Sequence, residues 1–270
     1  MLKKLSMIVA LAAVVAVASA QQVVGAGPGL TLQQFRGDYG SSAFGYTVSH
    51  TDLIAGMVAT NTLPTGWHPA TPGGLEYREG ALTDGANWLN IPNGNLAGLI
   101  NDFPLILGTP AQKFRFTFSE TMNISAIGVL TGNDNRDGRI FHTYAVYGIL
   151  GGGERSLIAY VESAQLGSLN NQNHNQDREI ATVLSRTGGN LATVDALEFD
   201  FYSVDNTGGQ YRDPWNGVNP FTSIDDGLSA AFVSPIVREI DVFGEPVPEP
   251  ATFAALGLSA LALMRRRGRK

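Results

Sequence analysis

The chain of 270 residues contains no cysteine, which excludes disulfide bonds and thiol chemistry. Its formal net charge of −6 is unevenly distributed: residues 21–250 hold all 24 acidic residues but only 11 of the 18 basic ones, so this central part carries a charge of −13. Such an acidic surface argues against nucleic acid or anionic lipid as a partner, and it is compatible with divalent cations and neutral glycans.

The first 20 residues have the pattern of a secretory signal peptide. Lys3 and Lys4 form a basic start, residues 7–18 are apolar, and the small-residue sequence ASA ends at Ala20. We therefore expect signal peptidase to cleave after Ala20. No cysteine follows the cleavage site, so a lipid anchor there is excluded. The signal-peptide pattern predicts an exported protein.

The next part of the chain has weak patterns. Residues 21–46 begin with glycines and other small residues, and they predict a flexible N-terminal lead. Up to residue 79, short apolar pieces alternate with glycine, proline and asparagine. This part predicts a few strands or, at residues 52–58, a short helix.

Strand patterns become clear after residue 112. Phe114, Phe116 and Phe118 alternate with polar residues, which is typical of a half-buried strand at residues 113–118. The same reasoning predicts further strands at residues 123–130, 140–150, 156–162, 180–184, 193–204 and 236–243. About eight strands without a convincing amphipathic helix predict an all-β fold, an antiparallel two-sheet β-sandwich or jelly roll, over residues 47–245.

Two short motifs open and close this predicted domain. They are LTDG at residues 82–85 and EIDVFG at residues 239–244. In this order they resemble the discoidin-like, or galactose-binding-like, sandwich of bacterial carbohydrate-binding modules. The resemblance implies glycan binding and a structural Ca²⁺ that joins the opening loop to the closing strand, with Asp84 and Glu239 as its carboxylate ligands. The alternative is that Asp84 starts a glycine turn and that Glu239 is a solvated strand residue.

A second candidate calcium loop has the sequence NDNRDG at residues 133–138. Oxygen-bearing side chains occupy positions 1, 3 and 5 and glycine occupies position 6, as in an EF-hand loop. However, Tyr144 stands at position 12, where such a loop needs a glutamate. This departure favours a hairpin turn between two strands.

Aromatic residues beside polar ones are the usual components of sugar-binding loops. Tyr211, Arg212 and Trp215 form such a group, and Trp67 with His68 forms another. The alternative is that these aromatic side chains cover an edge of the core, as buried tryptophans commonly do.

An enzymatic alternative depends on the closing strand. Glu239, Asp241 and Glu245 fit the Glu-x-Asp-x-x-x-Glu signature and so resemble laminarinase-like retaining glycosidases, which place two carboxyl groups about 5 Å apart. In that family much of the domain follows the signature, whereas here Pro246 follows at once. No Gly-x-Ser-x-Gly motif or phosphate-binding glycine loop occurs either. The sequence therefore favours a protein that is not an enzyme.

The end of the chain combines three features. Val247, Pro248, Glu249 and Pro250 precede an uncharged stretch at residues 251–264, and a basic end follows. A helix of 14 residues is about 21 Å long, shorter than a hydrocarbon core of about 30 Å. The basic residues beside it, which mark the cytoplasmic side of a membrane, include Arg265, Arg266 and Arg267.

Residues 246–270 in this arrangement resemble the PEP-CTERM sorting signal of bacterial surface and secreted proteins. The resemblance implies that the tail anchors the protein transiently in the cytoplasmic membrane and that a membrane-embedded exosortase processes it. Together, these features predict an exported, non-enzymatic protein of the cell surface or extracellular matrix with a structural or glycan-binding role, and the resemblance implies association with exopolysaccharide or biofilm matrix. A glycoside hydrolase and an adhesin remain as alternatives.

Overall fold

The structure is a computed structural model. It describes residues 21–38, 41–42, 44–63, 65–86, 96–133, 139–164, 178–204, 212–230 and 232–248. Several predicted features lie outside the described residues: the signal peptide with Ala20, most of the loop at 133–138, Tyr211, and the tail from Glu249 onward, including its arginines.

The described residues form an almost entirely β structure, as the sequence predicts. Two short 3₁₀ turns, Leu75–Tyr77 and Glu79–Leu82, are the helical elements in this part of the chain. The strands are β1 (Gln22–Gly25), β2 (Leu30–Gly37), β3 (Thr60–Asn61), β4 (Gln112–Gly132), β5 (Thr143–Ile149), β6 (Ser156–Glu162), β7 (Glu179–Arg186), β8 (Ala192–Phe201) and β9 (Val237–Pro246). Every strand pair is antiparallel. The predicted all-β antiparallel fold is therefore confirmed.

Strand β4 belongs to both layers of the sandwich. Its first half pairs with β8 and β3, and its second half pairs with β7 and β9. The strands form one continuous nine-stranded sheet in the order β1-β6-β5-β8-β4-β7-β2, with β3 and β9 also paired to β4. We call β1, β6, β5, β8 and the first half of β4 the first sheet, and the second half of β4 with β7, β2 and β9 the second sheet. The sequence predicts two strands at residues 113–118 and 123–130, but they are one strand of 21 residues with a register shift between Thr117 and Met122.

The opposite side of the sandwich is closed by the N-terminal strands. β1 lies at the edge of the first sheet and β2 at the edge of the second, and the guanidinium of Arg186 donates hydrogen bonds to the carbonyls of Ala26 and Pro28 between them, at 2.7 and 2.6 Å. The structure thus differs from the flexible lead predicted for residues 21–46. The reason is that Leu30 and Leu32 pack against the core, and backbone pairing with β6 and β7 stabilises strands whose composition is weakly apolar.

The core lies between the two sheets and is rich in aromatic rings. Phe116 packs edge-on against Phe199 with ring centroids 6.0 Å apart, and Phe114 does the same with Phe201. All four rings are at most 1% exposed. The alternation that predicts inward-facing phenylalanines in β4 is therefore correct at Phe114 and Phe116.

Replacing Phe116 by alanine should lower the free energy of unfolding by about 3–5 kcal/mol, because it leaves a cavity between the sheets. Phe103 is the matched control: its ring is 68% exposed. The Phe103→Ala variant should change the same free energy by less than about 0.5 kcal/mol. Urea unfolding followed by tryptophan fluorescence measures both, and equal losses would contradict the assignment of the core.

Candidate functional site

The outer face of the second sheet holds two of the predicted site residues. Along β9, Ile240 and Val242 point into the core, so Glu239 and Asp241 point to the opposite face. The chain between residues 44 and 56 covers that face, and both carboxyl groups are 0% exposed. Acidic side chains are rarely buried without a basic partner, so the contacts of Glu239 and Asp241 define the candidate site.

Asp241 is held by the covering segment. Its Oδ1 accepts a hydrogen bond from the backbone N–H of Ser49 at 3.1 Å, and its Oδ2 accepts one from the hydroxyl of Tyr46. The ring of Tyr46 reaches this position because Gly128, opposite Asp241 on β4, has no side chain; a Cβ there would clash with the hydroxyl. Burial raises the pKa of Asp241 to about 6, although the hydrogen bond from Tyr46 opposes the shift.

Glu239 is brought next to the opening loop. Its Oε2 accepts a hydrogen bond from the backbone N–H of Gly85 at 3.0 Å, while its Oε1 is buried without a hydrogen-bond partner. Burial, reinforced by the negative charges of Asp241 and Asp84, raises the pKa of Glu239 to about 10. Glu239 is therefore not the solvated residue of the alternative interpretation.

Asp84 has the turn role that the alternative interpretation gives it. It is exposed, and its Oδ1 accepts a hydrogen bond from the N–H of Ala86 at 2.7 Å. Because Gly85 donates to Glu239, this turn also places Asp84 beside the closing strand, as the resemblance implies. The two interpretations of Asp84 are compatible in this geometry.

Sequence reasoning misses a further carboxylate, Asp52. Its Oδ1 accepts hydrogen bonds from the N–H groups of Ile54 at 3.0 Å and Val242 at 3.1 Å, and its Oδ2 is buried without a hydrogen-bond partner. Residues 53–56 form a turn instead of the short helix considered for 52–58. An aspartate at the start of a predicted helix is normally interpreted as a cap, so only the fold shows its proximity to β9.

We call Asp52, Asp84, Glu239 and Asp241 the carboxylate cluster. His50 lies close enough to lower the pKa of the Asp241 carboxyl group, against the larger effect of burial. Within the described ranges, no three histidine, cysteine, aspartate or glutamate side chains are arranged to hold one metal ion. A cation bound here would therefore use two carboxylates and would need backbone carbonyls to complete its coordination.

The three residues of the glycosidase signature are not together. Glu239 and Asp241 are buried under the covering segment, whereas Glu245 is exposed near the other end of β9, where it pairs with Asn123. They do not line a common open cleft. Nothing in this arrangement offers a water molecule and a sugar access to both a nucleophile and an acid.

The aromatic loop predicted to bind glycans lies against the outer face of the first sheet. Trp215 is half-buried and packs on Tyr202, with ring centroids 5.1 Å apart, while Phe221 stacks on Tyr160 at 4.3 Å. Arg212 is half-buried in the same loop. Most of this loop therefore covers a second apolar cluster, which is the alternative that the sequence leaves open.

Trp67 and His68 are also engaged within the fold. The indole Nε1 of Trp67 donates a hydrogen bond to Glu79 at 3.0 Å, and its ring packs on Phe114 at 5.5 Å. The Nε2 atom of His68 lies 3.3 Å from a carboxylate oxygen of Asp102.

A row of charged side chains runs beside the aromatic loop on the first sheet. Arg155 donates hydrogen bonds to Glu198 at 2.7 Å and Asp200 at 2.8 Å, and its guanidinium lies 4.0 Å from the ring centroid of Tyr147. Arg115 donates to the other oxygen of Glu198 at 2.6 Å. Burial opposes ionisation of Glu198, but both arginines hold its pKa below the ordinary value. Sequence reasoning misses this row because its members lie on three strands and one loop.

An exposed apolar loop is also absent from the sequence-based candidates. Phe103, Leu105, Ile106 and Leu107 are between 54% and 68% exposed. An uninterrupted run of large apolar residues outside regular structure is the signal that could have identified it.

Comparison with known protein families identifies the tail. Residues 246–270 match the family described as "PEP-CTERM protein-sorting motif". This confirms the predicted sorting signal, although the match covers less than a tenth of the chain. No curated protein matches the sequence. Among the described residues no helix is long and apolar enough to cross a membrane, and the tail is not among them.

One similar solved structure is described as "CpGH89CBM32-6 produced by Clostridium perfringens". It is 13% identical over 49% of this chain and 68% of that chain, with a TM-score of 0.23. A superposition of this quality carries no argument about fold or function.

The raised pKa values predict how stability depends on pH when metal ions are removed. A folded-state pKa above the ordinary carboxyl value of about 4 means that the folded state favours the protonated acid, so the stability that the protonated acid contributes at low pH is lost as pH rises. For Asp241 the loss ends near pH 6, and for Glu239 it continues toward pH 10. In EDTA, the Glu239→Gln variant should therefore lose less stability than the unmodified chain between pH 6 and 9.

Thermal unfolding at each pH measures this difference. Glu245→Gln, an exposed change on the same strand, should retain the slope of the unmodified chain. Parallel curves for all three proteins would contradict the burial of an acid at position 239.

Proposed function

We propose that this protein, which its PEP-CTERM motif directs to export, exosortase processing and the cell surface, is a non-enzymatic component that binds neutral extracellular polysaccharide. The sorting motif supports the surface location. The observation that supports polysaccharide binding is the pair of exposed arginines, Arg115 and Arg155, held by buried carboxylates beside Tyr147 on the first sheet.

This row has the composition of a sugar-binding surface. The side chains of Arg115 and Arg155 are 41% and 36% exposed, and Glu198 fixes their positions. Tyr147, whose ring lies against Arg155, and the half-buried Trp215, which packs on Tyr202, place aromatic rings on the same face. Oriented donors beside aromatic rings recognise hydroxyl-rich neutral ligands, and the charge of −13 on residues 21–250 disfavours acidic polymers.

We also propose that Ca²⁺ joins the opening loop to the closing strand. The residues fit in one respect, because Glu239 has a buried oxygen without a hydrogen-bond partner and lies beside Asp84. Hard oxygen ligands of this type suit Ca²⁺. Asp84 and Glu239 would hold the ion together with backbone carbonyls, and its charge would offset the repulsion within the carboxylate cluster.

Polysaccharide binding can be tested with the protein spanning residues 21–270 on an array of neutral glucans and galactans. Arg155→Lys retains the charge beside Glu198 but loses the planar, multiply donating head group, and it should weaken binding at least about tenfold. Arg36→Lys, an exposed change on the second sheet, should leave binding unchanged. A blank array, equal binding by both variants, or release of reducing sugar would contradict the proposal.

The calcium proposal predicts a thermal shift. After EDTA treatment, adding Ca²⁺ at about 100 times its dissociation constant should stabilise the fold by about 2.7 kcal/mol and raise Tm by about 5–10 °C. Asp84→Asn and Glu239→Gln should each remove most of this shift, whereas Glu245→Gln should not. An unchanged Tm in the unmodified chain would refute calcium binding and would leave polysaccharide binding to be decided by the array.

A further inference from the structure

A pocket of about 460 Å³ lies at one end of the sandwich. It is lined by the β5–β6 hairpin, the start of β8, the end of β7 and the connection between β1 and β2. Its apolar side chains include Leu150, Leu157, Leu191 and Val194, and its charged ones are Glu154 and Arg186. Leu191 and Val194 are buried at its floor, whereas Leu150 is 54% exposed at its rim. Its volume suits one or two large side chains.

The sorting tail leaves the folded body beside this pocket. Val194 on β8 and Pro246 on β9 both pair with Met122 on β4, from opposite sides. Two strand spacings of about 4.8 Å therefore separate them, or roughly 10 Å. The floor of the pocket and the base of the tail are close because of this shared partner.

Hydrogen bonds fix the base of the tail relative to the rim of the pocket. The N–H of Val247 donates to the carbonyl of Thr121 at 2.8 Å, and the hydroxyl of Thr121 donates to Asp195 at 2.6 Å. The other oxygen of Asp195 accepts a hydrogen bond from the N–H of Gly151, in the β5–β6 hairpin, at 2.6 Å.

The sequence that follows this point is strongly apolar. Residues 251–264 carry no charge, and Phe253 is their first large side chain. Phe253 is five residues beyond Pro248, a reach of up to about 17 Å for extended chain. This span is longer than the separation between the base of the tail and the pocket.

We propose that the pocket is a docking site for the chain's own tail, and that Phe253 enters it whenever the tail is not in a membrane. Burying an aromatic ring against the leucines and the valine of the pocket is favourable in water, and the short tether gives the tail a high effective concentration there. A bilayer offers residues 251–264 a larger apolar environment, so insertion displaces the tail from the pocket. This inference is independent of polysaccharide binding.

The lack of native cysteine allows a direct test. Ser156 is exposed and lines the pocket, so its Ser156→Cys variant reports access to the site. In the chain spanning residues 21–270, its reaction with a maleimide-polyethylene glycol should be slower than in a chain ending at Pro248 by at least about tenfold. Ser229→Cys, an exposed serine on another loop, should react equally in both chains.

A change in the tail itself avoids any effect on folding. Phe253→Ser should restore rapid modification at position 156, and so should phosphatidylethanolamine–phosphatidylglycerol vesicles added to the unchanged tail. Equal rates in the long and short chains would overturn the proposal. So would protection that disappears on dilution, since it would place the tail of a second copy in the pocket, and protection that survives Phe253→Ser.

Discussion

The fold depends on the backbone hydrogen bonding of one strand, β4. Its 21 residues have partners in both sheets, so the donors and acceptors on its two edges are satisfied only when β3, β7, β8 and β9 are all in place. The register shift between Thr117 and Met122 lets the strand turn from one layer to the other. Phe114 and Phe116 before the shift, and Ile127 and Val129 after it, then face the same core. The two layers are thus covalently continuous at one side, and Arg186 with the β1–β2 connection closes the other.

The pairing of β4 with β9 also positions the carboxylate cluster, whose burial lowers the stability of the fold. β9 pairs with the second half of β4, and Gly128 leaves room above the sheet for Tyr46 to reach Asp241. Each hydrogen bond to a buried carboxyl group offsets part of the desolvation free energy of that group. Oε1 of Glu239 and Oδ2 of Asp52 lack this compensation. Two buried oxygens without hydrogen bonds on one face destabilise the folded state. Such a loss of stability is typical of residues that have a function besides packing.

Local patterns predict the strands well, and they fail where the answer depends on distant parts of the chain. The alternation of phenylalanines in β4 and β8 is visible in the sequence because each residue's environment repeats every second position. The polar residues 119–121 interrupt that alternation and hide the continuity of β4, which only its pairing partners reveal. Likewise, Asp84 and Glu239 could be connected through their resemblance to a known pair, but Asp52 and Tyr46 could not. They reach β9 through a covering segment that has no periodic pattern, and the strands of the N-terminal lead depend in the same way on neighbours more than 120 residues away.

The sorting tail and the carboxylate cluster lie at opposite ends of β9. Glu239 is near the start of the strand and Pro246 is its last residue, and seven residues of extended chain separate them by about 23 Å. The carboxylate cluster therefore lies well away from the point at which the tail leaves the body. The pocket that receives apolar side chains lies at the tail's end of the strand instead, because Val194 and Pro246 share Met122 as a partner. The same ladder of hydrogen bonds that satisfies β4 thus separates the carboxylate cluster from the tail and keeps the pocket close to it. Because both distances are set by strand register, neither can change without breaking pairs in the middle of the sandwich.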